Sequence, residues 1–569
     1  MVASRFWRVL SLGCALSCGG SSDKATAPVP SPATPAPSAP PPVVGVTVSP
    51  TTVSVLLGAS QQLTVVTLGE GGAVLAGRDV AWATSAASKV SVTTSGMVTA
   101  LAAGSATVTA TSEGKSGSAL VTVTLPTTGP DGIAFVGSIG NASYPVPDPA
   151  LAVGTDRIVL ISNSEVVITT KTGADVDRVS LQSFFAPLLA SGERSQGDVA
   201  ALFDESTGRF FLAEAANRHP QACMPGTCVG HNFVAVSRSS TPSSLGPGDW
   251  YLFAFDRFLE RSSTVPVATT IWADYDDLAV NGEALYITSR RYGELDDSPQ
   301  GAIIRMLDKT KLIAGTAPSS WTDFTFLPGV GIGPGMMPAR NFGATPVQYF
   351  VSRALSGYCG WTVWGLSGGL NAPVLASQSV QLSGSCNISR YGLQPGDAPA
   401  LDVGGSGSLA RSAVYRNGRL WMAETFGVNP GAGSGTVIKW AELDVSHWPS
   451  SISIVQQGSV GSDGVWSYYP AIMVDQAGTM VLAFNTTSAT TYPSINVAVR
   501  FAADPAGAMR PTTIVKAGTG ASVHVDGAMR NRSGDYLSID LDPVTFAFWL
   551  HGQYGTSGDS RTWVAQIKP

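Results

Sequence analysis

Residues 274–290 read DYDDLAVNGEALYITSR. An acidic lead-in is followed by an apolar run, a tight turn around Gly282 and a second apolar run. Apolar runs of this length on either side of a tight turn are typical of two antiparallel β-strands. The phrase therefore predicts a β-hairpin that begins with a group of carboxylates.

Phrases of the same kind recur between residues 130 and 569. Aligned on the turn between the two strands, they centre on Asp156, Gly208, Gly282, Pro346, Gly418, Gly478 and Pro543, at spacings of 52, 74, 64, 72, 60 and 65 residues. Each unit is long enough for four short strands, whereas an immunoglobulin-type sandwich needs about 80 to 100 residues. The repeat favours a β-propeller at 130–569 over a stack of sandwiches, with seven blades favoured and six possible.

Residues 44–124 contain short alternating runs such as VSVTTSG and ATVTAT, each broken by Gly, Ser or Pro. This pattern predicts a small β-sandwich. Trp82, Val90, the Ser95-Gly96 turn, Val98, Ala100, Gly104 and the run at 106–110 resemble the bacterial immunoglobulin-like domain of group 2. The resemblance implies a stalk or adhesion module without catalytic residues, in which Trp82 fills the space between the sheets.

Composition agrees with an all-β chain. Only 13% of the 569 residues are charged, while Gly and Pro number 63 and 37, which favours many turns over long solvated helices. The net charge of −6 is not accompanied by basic clusters, so we expect no nucleic-acid partner. We expect a monomer.

The N-terminus has the features of an export signal. Residues 1–18 carry Arg5 and Arg8, then an apolar run, then small residues that end at Cys18. Ala15-Leu16-Ser17-Cys18 resembles the lipobox of bacterial lipoproteins, which implies that the Cys18 thiol is lipidated and anchors the chain to a membrane.

The residues after Cys18 extend this hypothesis. Gly19, rather than an aspartate, resembles lipoproteins sent to the outer membrane, so we expect a cell-envelope location. Residues 19–43 are dominated by Pro, Ala and Ser and predict an extended tether. Cys14 is a competing lipidation site, and ordinary secretion or an uncleaved anchor are the alternatives.

The four remaining cysteines form two near pairs, Cys223 with Cys228 and Cys359 with Cys386. An even number of cysteines in an exported protein predicts disulfides. Free thiols, or a zinc site with the nearby His219 and His231, are the less favoured readings.

A second resemblance lies in the propeller region. It rests on Arg532-Ser533-Gly534-Asp535-Tyr536, Asp542-Pro543, Phe548-Trp549, Gly197-Asp198 and Phe203-Asp204. These phrases resemble secreted bacterial propellers related in fold to the sialidase superfamily, many of them of unknown activity. The Asp-box pattern of sialidases is missing from every unit, so the resemblance implies a fold and no sialidase residue is carried over.

Several aspartates stand at the start of a unit, and a propeller would bring them to one end of its central channel. They are Asp198, Asp274, Asp276, Asp277 and Asp535. Their commonest use in a repeat is to fix turns through backbone hydrogen bonds. The alternatives are a calcium site at Asp198, Asp274, Asp277 and Asp535, or acid and base work on a glycosidic bond by Asp274, Asp276, Asp277 and Asp535.

Aromatic side chains form a second group of candidates, Trp361, Trp364, Tyr468 and Tyr469. Exposed rings would stack on a sugar or a hydrophobic peptide, whereas packing between neighbouring blades is the alternative.

These features together predict an envelope-anchored or surface-exposed lipoprotein whose propeller binds a carbohydrate or a protein. Calcium is the one cofactor that the carboxylates suggest. The less favoured hypothesis is an exported glycoside hydrolase that uses the carboxylates at the N-terminal ends of the inner strands.

Overall fold

The computed structural model describes residues 40–56, 60–101, 104–124, 130–139, 146–195, 197–217, 230–261, 267–293, 298–326, 335–354, 359–384, 391–403, 413–427, 435–526 and 529–569. The chain divides into two units, Met1–Thr124 and Leu125–Pro569. Strands dominate both units, so the all-β expectation is confirmed. Within the described ranges, no helix is long and apolar enough to cross a membrane.

The first unit contains β1 (Gly45–Ser49), β2 (Thr52–Leu56), β3 (Ser60–Gln62), β4 (Thr64–Leu68), a 3-10 turn (Glu70–Gly72), β5 (Ala81–Thr84), β6 (Val90–Val92), β7 (Met97–Ala100), β8 (Gly104–Ser112) and β9 (Lys115–Thr124). They pair as β1-β4, β2-β9-β8-β5 and β3-β7-β6. Along β8, Ala106, Val108 and Ala110 are buried and the residues between them are not. The sequence alternation therefore marks the core face, as expected of a sandwich.

Trp82 packs against this core from a partly buried position. The turn at Gly96 lies against it: a Cβ at this position would stand 2.7 Å from Cζ2 of the indole, and the φ of +83° suits glycine. The predicted Ser95-Gly96 turn thus requires glycine both for its backbone and for its distance from the ring.

The second unit begins with β10 (Pro130–Ile139), β11 (Ala150–Val153), β12 (Arg157–Ile161), β13 (Glu165–Thr170) and β14 (Asp175–Ser180). Next come α1 (Leu181–Phe184), a 3-10 turn (Ala186–Leu188), β15 (Arg194–Ser195), β16 (Ala200–Asp204), β17 (Arg209–Asn217), β18 (Gly230–Ser237) and β19 (Trp250–Asp256). They are followed by β20 (Leu259–Glu260), β21 (Val267–Ala268), β22 (Ile271–Val280), β23 (Ala284–Gly293), β24 (Pro299–Asp308), α2 (Lys309–Ile313) and β25 (Thr322–Phe326).

The remaining strands complete the unit. They are β26 (Met336–Phe342), β27 (Gln348–Arg353), β28 (Gly360–Ser367), β29 (Val374–Gln381), β30 (Tyr391–Gly392), β31 (Leu401–Asp402), β32 (Ala413–Arg416), β33 (Arg419–Gly427), β34 (Thr436–Asp444) and β35 (Ser453–Val460). The last are β36 (Val465–Val474), β37 (Met480–Ser488), β38 (Ser494–Arg500), β39 (Thr513–Lys516), β40 (Ser538–Leu541), β41 (Phe548–Thr556) and β42 (Asp559–Ile567).

Seven four-stranded antiparallel arrays can be traced through the described part of this unit. They are β11–β14, β16–β19, β22–β25, β26–β29, β32–β35, β36–β39, and β40–β42 completed by β10. The first strands β11, β16, β22, β26, β32, β36 and β40 contact one another in this order, and β40 contacts β11. The first strands thus close a ring, which is the β-propeller arrangement that the repeat predicts.

Burial decreases from the ring outward. The second and third strands of the arrays, such as β12 and β37, are buried along most of their length. Fourth strands such as β14 and β29 are largely exposed. Neighbouring arrays face each other on both sides near the ring, so the inner strands need apolar residues at successive positions.

The seven turns predicted from the repeat all lie between the first and second strands of an array. Residues 181–189 contain α1 and the 3-10 turn that follows it. The short helix α2 was not anticipated. It starts where the side chain of Asp308 accepts hydrogen bonds from the backbone N–H groups of Thr310 and Lys311.

Candidate functional site

The N-terminal ends of the first strands open at one end of the ring, because neighbouring first strands run in the same direction, as β26 and β32 do. Asp148 and Asp198 each stand two residues before a first strand, and Asp535 stands three residues before β40. Asp274 lies in the N-terminal half of β22. We call these four aspartates and Arg532 the acidic mouth.

Three of the aspartates converge closely. One carboxylate oxygen from each of Asp148, Asp198 and Asp535 lies within 4.8 Å of the other two. Asp148 and Asp535 are 2% and 8% exposed, and Asp198 is half-buried. Three distant parts of the sequence thus bring their carboxylates to one largely buried point.

Asn163 forms hydrogen bonds with two of the aspartates in the acidic mouth. Its Nδ2 donates to Asp148 Oδ2 at 2.8 Å, and its Oδ1 accepts from the Asp198 backbone N–H at 3.0 Å. The backbone N–H of Asp535 donates to Asp148 Oδ1. One amide and one backbone donor therefore tie together the segments that lead into β11, β16 and β40.

The backbone at this point is unusual. Asp148 and Asp198 have φ values of +41° and +50°, and Gly197 has a φ of +96°. A Cβ at Gly197 would stand 2.3 Å from Asn163 Oδ1. Left-handed non-glycine residues cost on the order of 1–3 kcal/mol each and occur where the surroundings enforce them, often at binding sites.

Asp274 has a raised pKa in this environment. Burial raises the pKa of its carboxyl well above the usual range, and repulsion from Asp198, to which it is also hydrogen-bonded, raises it further. Arg257 opposes the shift, but only in part. Two carboxyl groups form a hydrogen bond only when one is protonated, so Asp274 is the acid of this pair.

Arg532 supplies the positive charge of the mouth. It forms an ion pair with Asp535. Burial lowers the pKa of its guanidinium, but Asp148 and Asp198 more than offset this effect, and its pKa lies above the ordinary value. Arg532 is therefore a permanent cation among the carboxylates.

Asp276 and Asp277 are not among the three converging carboxylates, although sequence analysis grouped them with Asp198, Asp274 and Asp535. Asp276 accepts hydrogen bonds from Asn232 Nδ2 at 2.6 Å and from Ser289 Oγ at 2.5 Å. Asp277 lines a cavity of about 40 Å³ inside the ring, together with Arg340 and others. The five predicted aspartates thus divide into three at the mouth, one between two neighbouring arrays and one in the channel.

The opposite end of the ring holds a larger cavity. It has a volume of about 560 Å³ and is lined by the turns that follow β16, β22 and β26, including Glu205, Asn281 and Phe342. Arg340 reaches it from the channel and pairs with Asp540 at 3.0 Å. No sequence pattern pointed to this cavity.

The expectation of exposed aromatic rings is wrong for three of the four candidates. Trp361, Tyr468 and Tyr469 are at most 2% exposed, and Trp364 is half-buried with its ring 4.9 Å from that of Phe326. Trp361 Nε1 donates to Glu424 Oε2 at 2.7 Å. These rings pack within and between arrays, so they offer no stacking surface to a sugar.

Several predictions lie outside the described residues. They concern Cys18, Cys223, Cys228 and Cys386. Cys359 is described and half-buried, with its Sγ 3.7 Å from Lys439 Nζ. Lipidation and both disulfide pairings therefore stay predictions.

Asp148 and Asn163 are the site residues that sequence analysis missed. Asp148 stands two residues before β11, the same offset as Asp198 before β16. Comparing the positions before each first strand, rather than the turns after it, would have found Asp148. Asn163 carries no comparable signal, because it lies in the loop after β12.

A comparison with protein families supports the first unit. Residues 42–123 match the family model of the bacterial Ig-like domain (group 2), which confirms the resemblance predicted for 44–124. No curated protein matches the sequence.

Solved structures resemble the chain only distantly. A mutant of Trypanosoma rangeli sialidase displaying trans-sialidase activity is 9% identical, with a TM-score of 0.33, over 65% of this chain and 53% of that one. A Cellvibrio cellulosa alpha-L-arabinanase complexed with arabinohexaose is 9% identical, with a TM-score of 0.27, over 68% and 94%. A quinohemoprotein alcohol dehydrogenase from Pseudomonas putida HK5 is 11% identical, with a TM-score of 0.35, over 77% and 76%.

The chain matches only about half the length of the sialidase. Identities and TM-scores this low give no basis for transferring an activity or a residue to this chain. What the chain does must be argued from its own site.

Proposed function

We propose that this protein is exported and anchored to the cell envelope, and that the acidic mouth of its propeller binds a carbohydrate. The observation that carries the proposal is the convergence of Asp148, Asp198 and Asp535 beside Arg532 at one end of the ring. Hydrogen-bond acceptors and a planar donor grouped in this way suit a ligand with several hydroxyl groups.

The net charge of the acidic mouth indicates which class of sugar it would bind. In the mouth without a bound cation, carboxylates outnumber the guanidinium of Arg532, so an ionised sugar acid would be repelled. Neutral and amino sugars would instead donate hydrogen bonds to the carboxylates. We therefore expect binding of neutral or amino sugars in preference to uronic or sialic acids.

Binding can be tested on a glycan panel with the whole exported chain. Wild-type protein should bind neutral or amino sugars, and Asp535→Asn should weaken binding about tenfold or more, because a hydrogen bond to a charged group is worth about 1.5–3 kcal/mol. Asp156→Asn is the matched control, since Asp156 is exposed in the turn at the opposite end of β11. Binding only to a protein, or equal binding by both variants, would contradict the proposal.

A glycoside hydrolase at the same mouth is the second candidate. The specific observation in its favour is the Asp198–Asp274 pair, in which burial and repulsion raise the pKa of Asp274 well above its usual range. Glycosidases use two carboxyl groups as acid and as base or nucleophile, about 5–5.5 Å apart in retaining enzymes and about 6.5–9.5 Å apart in inverting ones, so a substrate would have to separate Asp198 from Asp274. If wild-type protein cleaves chromogenic glycosides and a folded Asp274→Asn variant is at least 100-fold slower, hydrolysis replaces simple binding as the function.

The anchor is tested separately by labelling cells with a fatty acid. Cys18→Ser should abolish the label, whereas Cys14→Ser should keep it, because the lipobox resemblance places the acylated thiol at Cys18. Loss of label in Cys14→Ser alone would move the anchor to Cys14. An unlabelled wild-type protein would remove the anchor from the proposal.

A further inference from the structure

We infer that the acidic mouth contains a calcium site formed by Asp148, Asp198 and Asp535. Ca²⁺ binds carboxylate oxygens at about 2.3–2.6 Å, so two oxygens on opposite sides of one ion stand about 5 Å apart. The three carboxylate oxygens lie within 4.8 Å of one another. They therefore fit around a single ion without any movement of the backbone.

The ligand positions are fixed before any ion binds. Asn163 hydrogen-bonds both Asp148 and the backbone of Asp198, and the backbone of Asp535 donates to Asp148. The left-handed φ values of Asp148 and Asp198 also indicate fixed positions, because such a backbone persists only where its surroundings enforce it. A site held in this way loses little conformational freedom on binding an ion.

Gln553 is an independent observation that points to a ligand. Its side chain is 1% exposed, and neither Oε1 nor Nε2 has a hydrogen-bond partner. A Cβ at Gly534 would stand 2.7 Å from Gln553 Nε2 and 3.2 Å from Asp148 Oδ1, so the unpaired amide adjoins the carboxylate cluster. A buried amide without partners is destabilising, and an ion or an ion-bound water at the mouth would offset this cost.

Charge and ligand type favour calcium. When ionised, three carboxylates beside the single guanidinium of Arg532 leave two negative charges, which one divalent cation balances. The donors are all oxygens, with no histidine or cysteine among them, so the hard cation Ca²⁺ suits them better than Zn²⁺. Mg²⁺ demands a stricter octahedron and retains more of its water.

This set differs from the ligands that the sequence suggested. Asp198 and Asp535 are common to both sets, whereas Asp277 lies in the channel. Asp148 takes its place, and Asp274 is hydrogen-bonded to Asp198 beside the cluster. In the structure, the proposed calcium site thus contains Asp148 in place of Asp274 and Asp277, and it stays at the same end of the ring.

Calcium titration of the whole exported chain, after dialysis against a chelator and without any sugar, tests the inference. Wild-type protein should bind one Ca²⁺ and show a rise in its unfolding temperature with CaCl₂ that the same concentration of MgCl₂ does not match. Asp148→Asn and Asp535→Asn should weaken Ca²⁺ binding at least tenfold, and Asp156→Asn should leave it unchanged.

The Gln553→Leu variant keeps the inference testable if the aspartate variants fail to fold. It removes an unpaired amide, so the protein without calcium should be at least as stable as wild type, while Ca²⁺ binding weakens several-fold. A purely structural role for Gln553 predicts no change in Ca²⁺ affinity. Absence of Ca²⁺ binding at millimolar concentration, or wild-type affinity in the folded Asp535→Asn variant, would overturn the inference. Sugar binding is measured separately, so either proposal can fail alone.

Discussion

His551 is a buried side chain that links two arrays of the ring. It lies in β41, its Nδ1 stands 3.1 Å from the carbonyl of Ala150 in β11, and its Nε2 stands 2.9 Å from Thr562 Oγ1. A carbonyl can only accept, so Nδ1 carries the proton and Nε2 accepts from the hydroxyl. Burial lowers the pKa of His551 to about 4, and the imidazole is therefore neutral at physiological pH.

We expect protonation of His551 to destabilise the folded protein in acid, an effect that is measured as the difference between wild type and His551→Gln. Its folded pKa is below that of the unfolded chain, so the stability it contributes is complete above about pH 6.5 and is lost as the pH falls toward 4. The loss amounts to about 3 kcal/mol. Urea unfolding of wild type and His551→Gln at pH 7 and pH 4.5 measures it. An equal loss in both proteins would contradict the assignment.

Glu424 has the opposite dependence. It is fully buried, accepts a hydrogen bond from Trp361 Nε1 at 2.7 Å and pairs with Arg353. Burial raises its pKa to about 7 despite Arg353. Its folded pKa exceeds the unfolded one, so its contribution is complete below about pH 4.5 and is lost as the pH rises through 7, by about 3 kcal/mol.

Relative to wild type, Glu424→Gln should therefore gain stability as the pH rises from 5 to 8, because the loss caused by ionisation of Glu424 is removed. Gln keeps the acceptor for Trp361 but does not ionise. Chemical denaturation at the two pH values is the measurement, with Glu205→Gln as the control because Glu205 is exposed. A stability difference between Glu424→Gln and wild type that does not change between the two pH values would contradict the assignment.

At the level of single residues, the sequence located the mouth but not the direction of every side chain. Asp198, Asp274 and Asp535 were predicted because each precedes or begins a first strand. Asp276 and Asp277 were grouped with them, whereas the pairing of β22 with β23 shifts register between Asp274 and Asp277. A bulge of this kind reorients the residues that follow it and leaves no reliable trace in an alternating pattern.

At the level of elements, β10 has a special position. It is the first strand of the second unit, yet it pairs with β42, the last strand of the chain, with Ala134 opposite Ala565. This pairing completes the array of β40, β41 and β42. The two ends of the second unit are thus joined within one sheet.

Removal of β10 should destabilise the propeller and expose β42. A chain that begins at residue 146 lacks this strand, whereas one that begins at residue 125 keeps it and is the matched control. We expect the shorter chain to unfold about 10 °C or more below the control and to aggregate, because an unpaired edge strand recruits other chains. Equal unfolding temperatures in differential scanning calorimetry would mean that the β10 pairing does not stabilise the ring.

Elements near the ring were predicted better than elements far from it, for a physical reason. The first two strands of each array are buried on both faces and flank a tight turn, so their apolar runs are unmistakable. Fourth strands such as β29 are largely exposed and carry little apolar signal. The helix α2 has five residues, too few to show a helical period.

At the level of the whole molecule, the architecture was predictable and the site geometry was not. Seven turns at similar spacings favoured a propeller, because stacked sandwiches need longer units. The contact between Asp148 and Asp535 joins residues 387 positions apart. Such a contact depends on how the ring closes, and no local pattern encodes its distance.

The pH dependence of stability is a property of the whole molecule. Between about pH 4.5 and pH 6.5 the folded protein holds one proton more than the unfolded chain at Glu424 and one fewer at His551. Their slopes are equal and opposite in this range and cancel. The two residues lie in different arrays, so their effects should add independently.

Four proteins measured between pH 4.5 and pH 6.5 test this cancellation. Relative to wild type, the free energy of unfolding of Glu424→Gln should increase by about 1.4 kcal/mol per pH unit, since the slope of His551 remains. His551→Gln should show the same slope with the opposite sign. The double variant should run parallel to wild type, because both slopes are removed. A double variant that deviates from wild type by more than about 0.5 kcal/mol per unit would mean that the two groups are coupled through the ring, and that their protonation cannot be treated as two independent events.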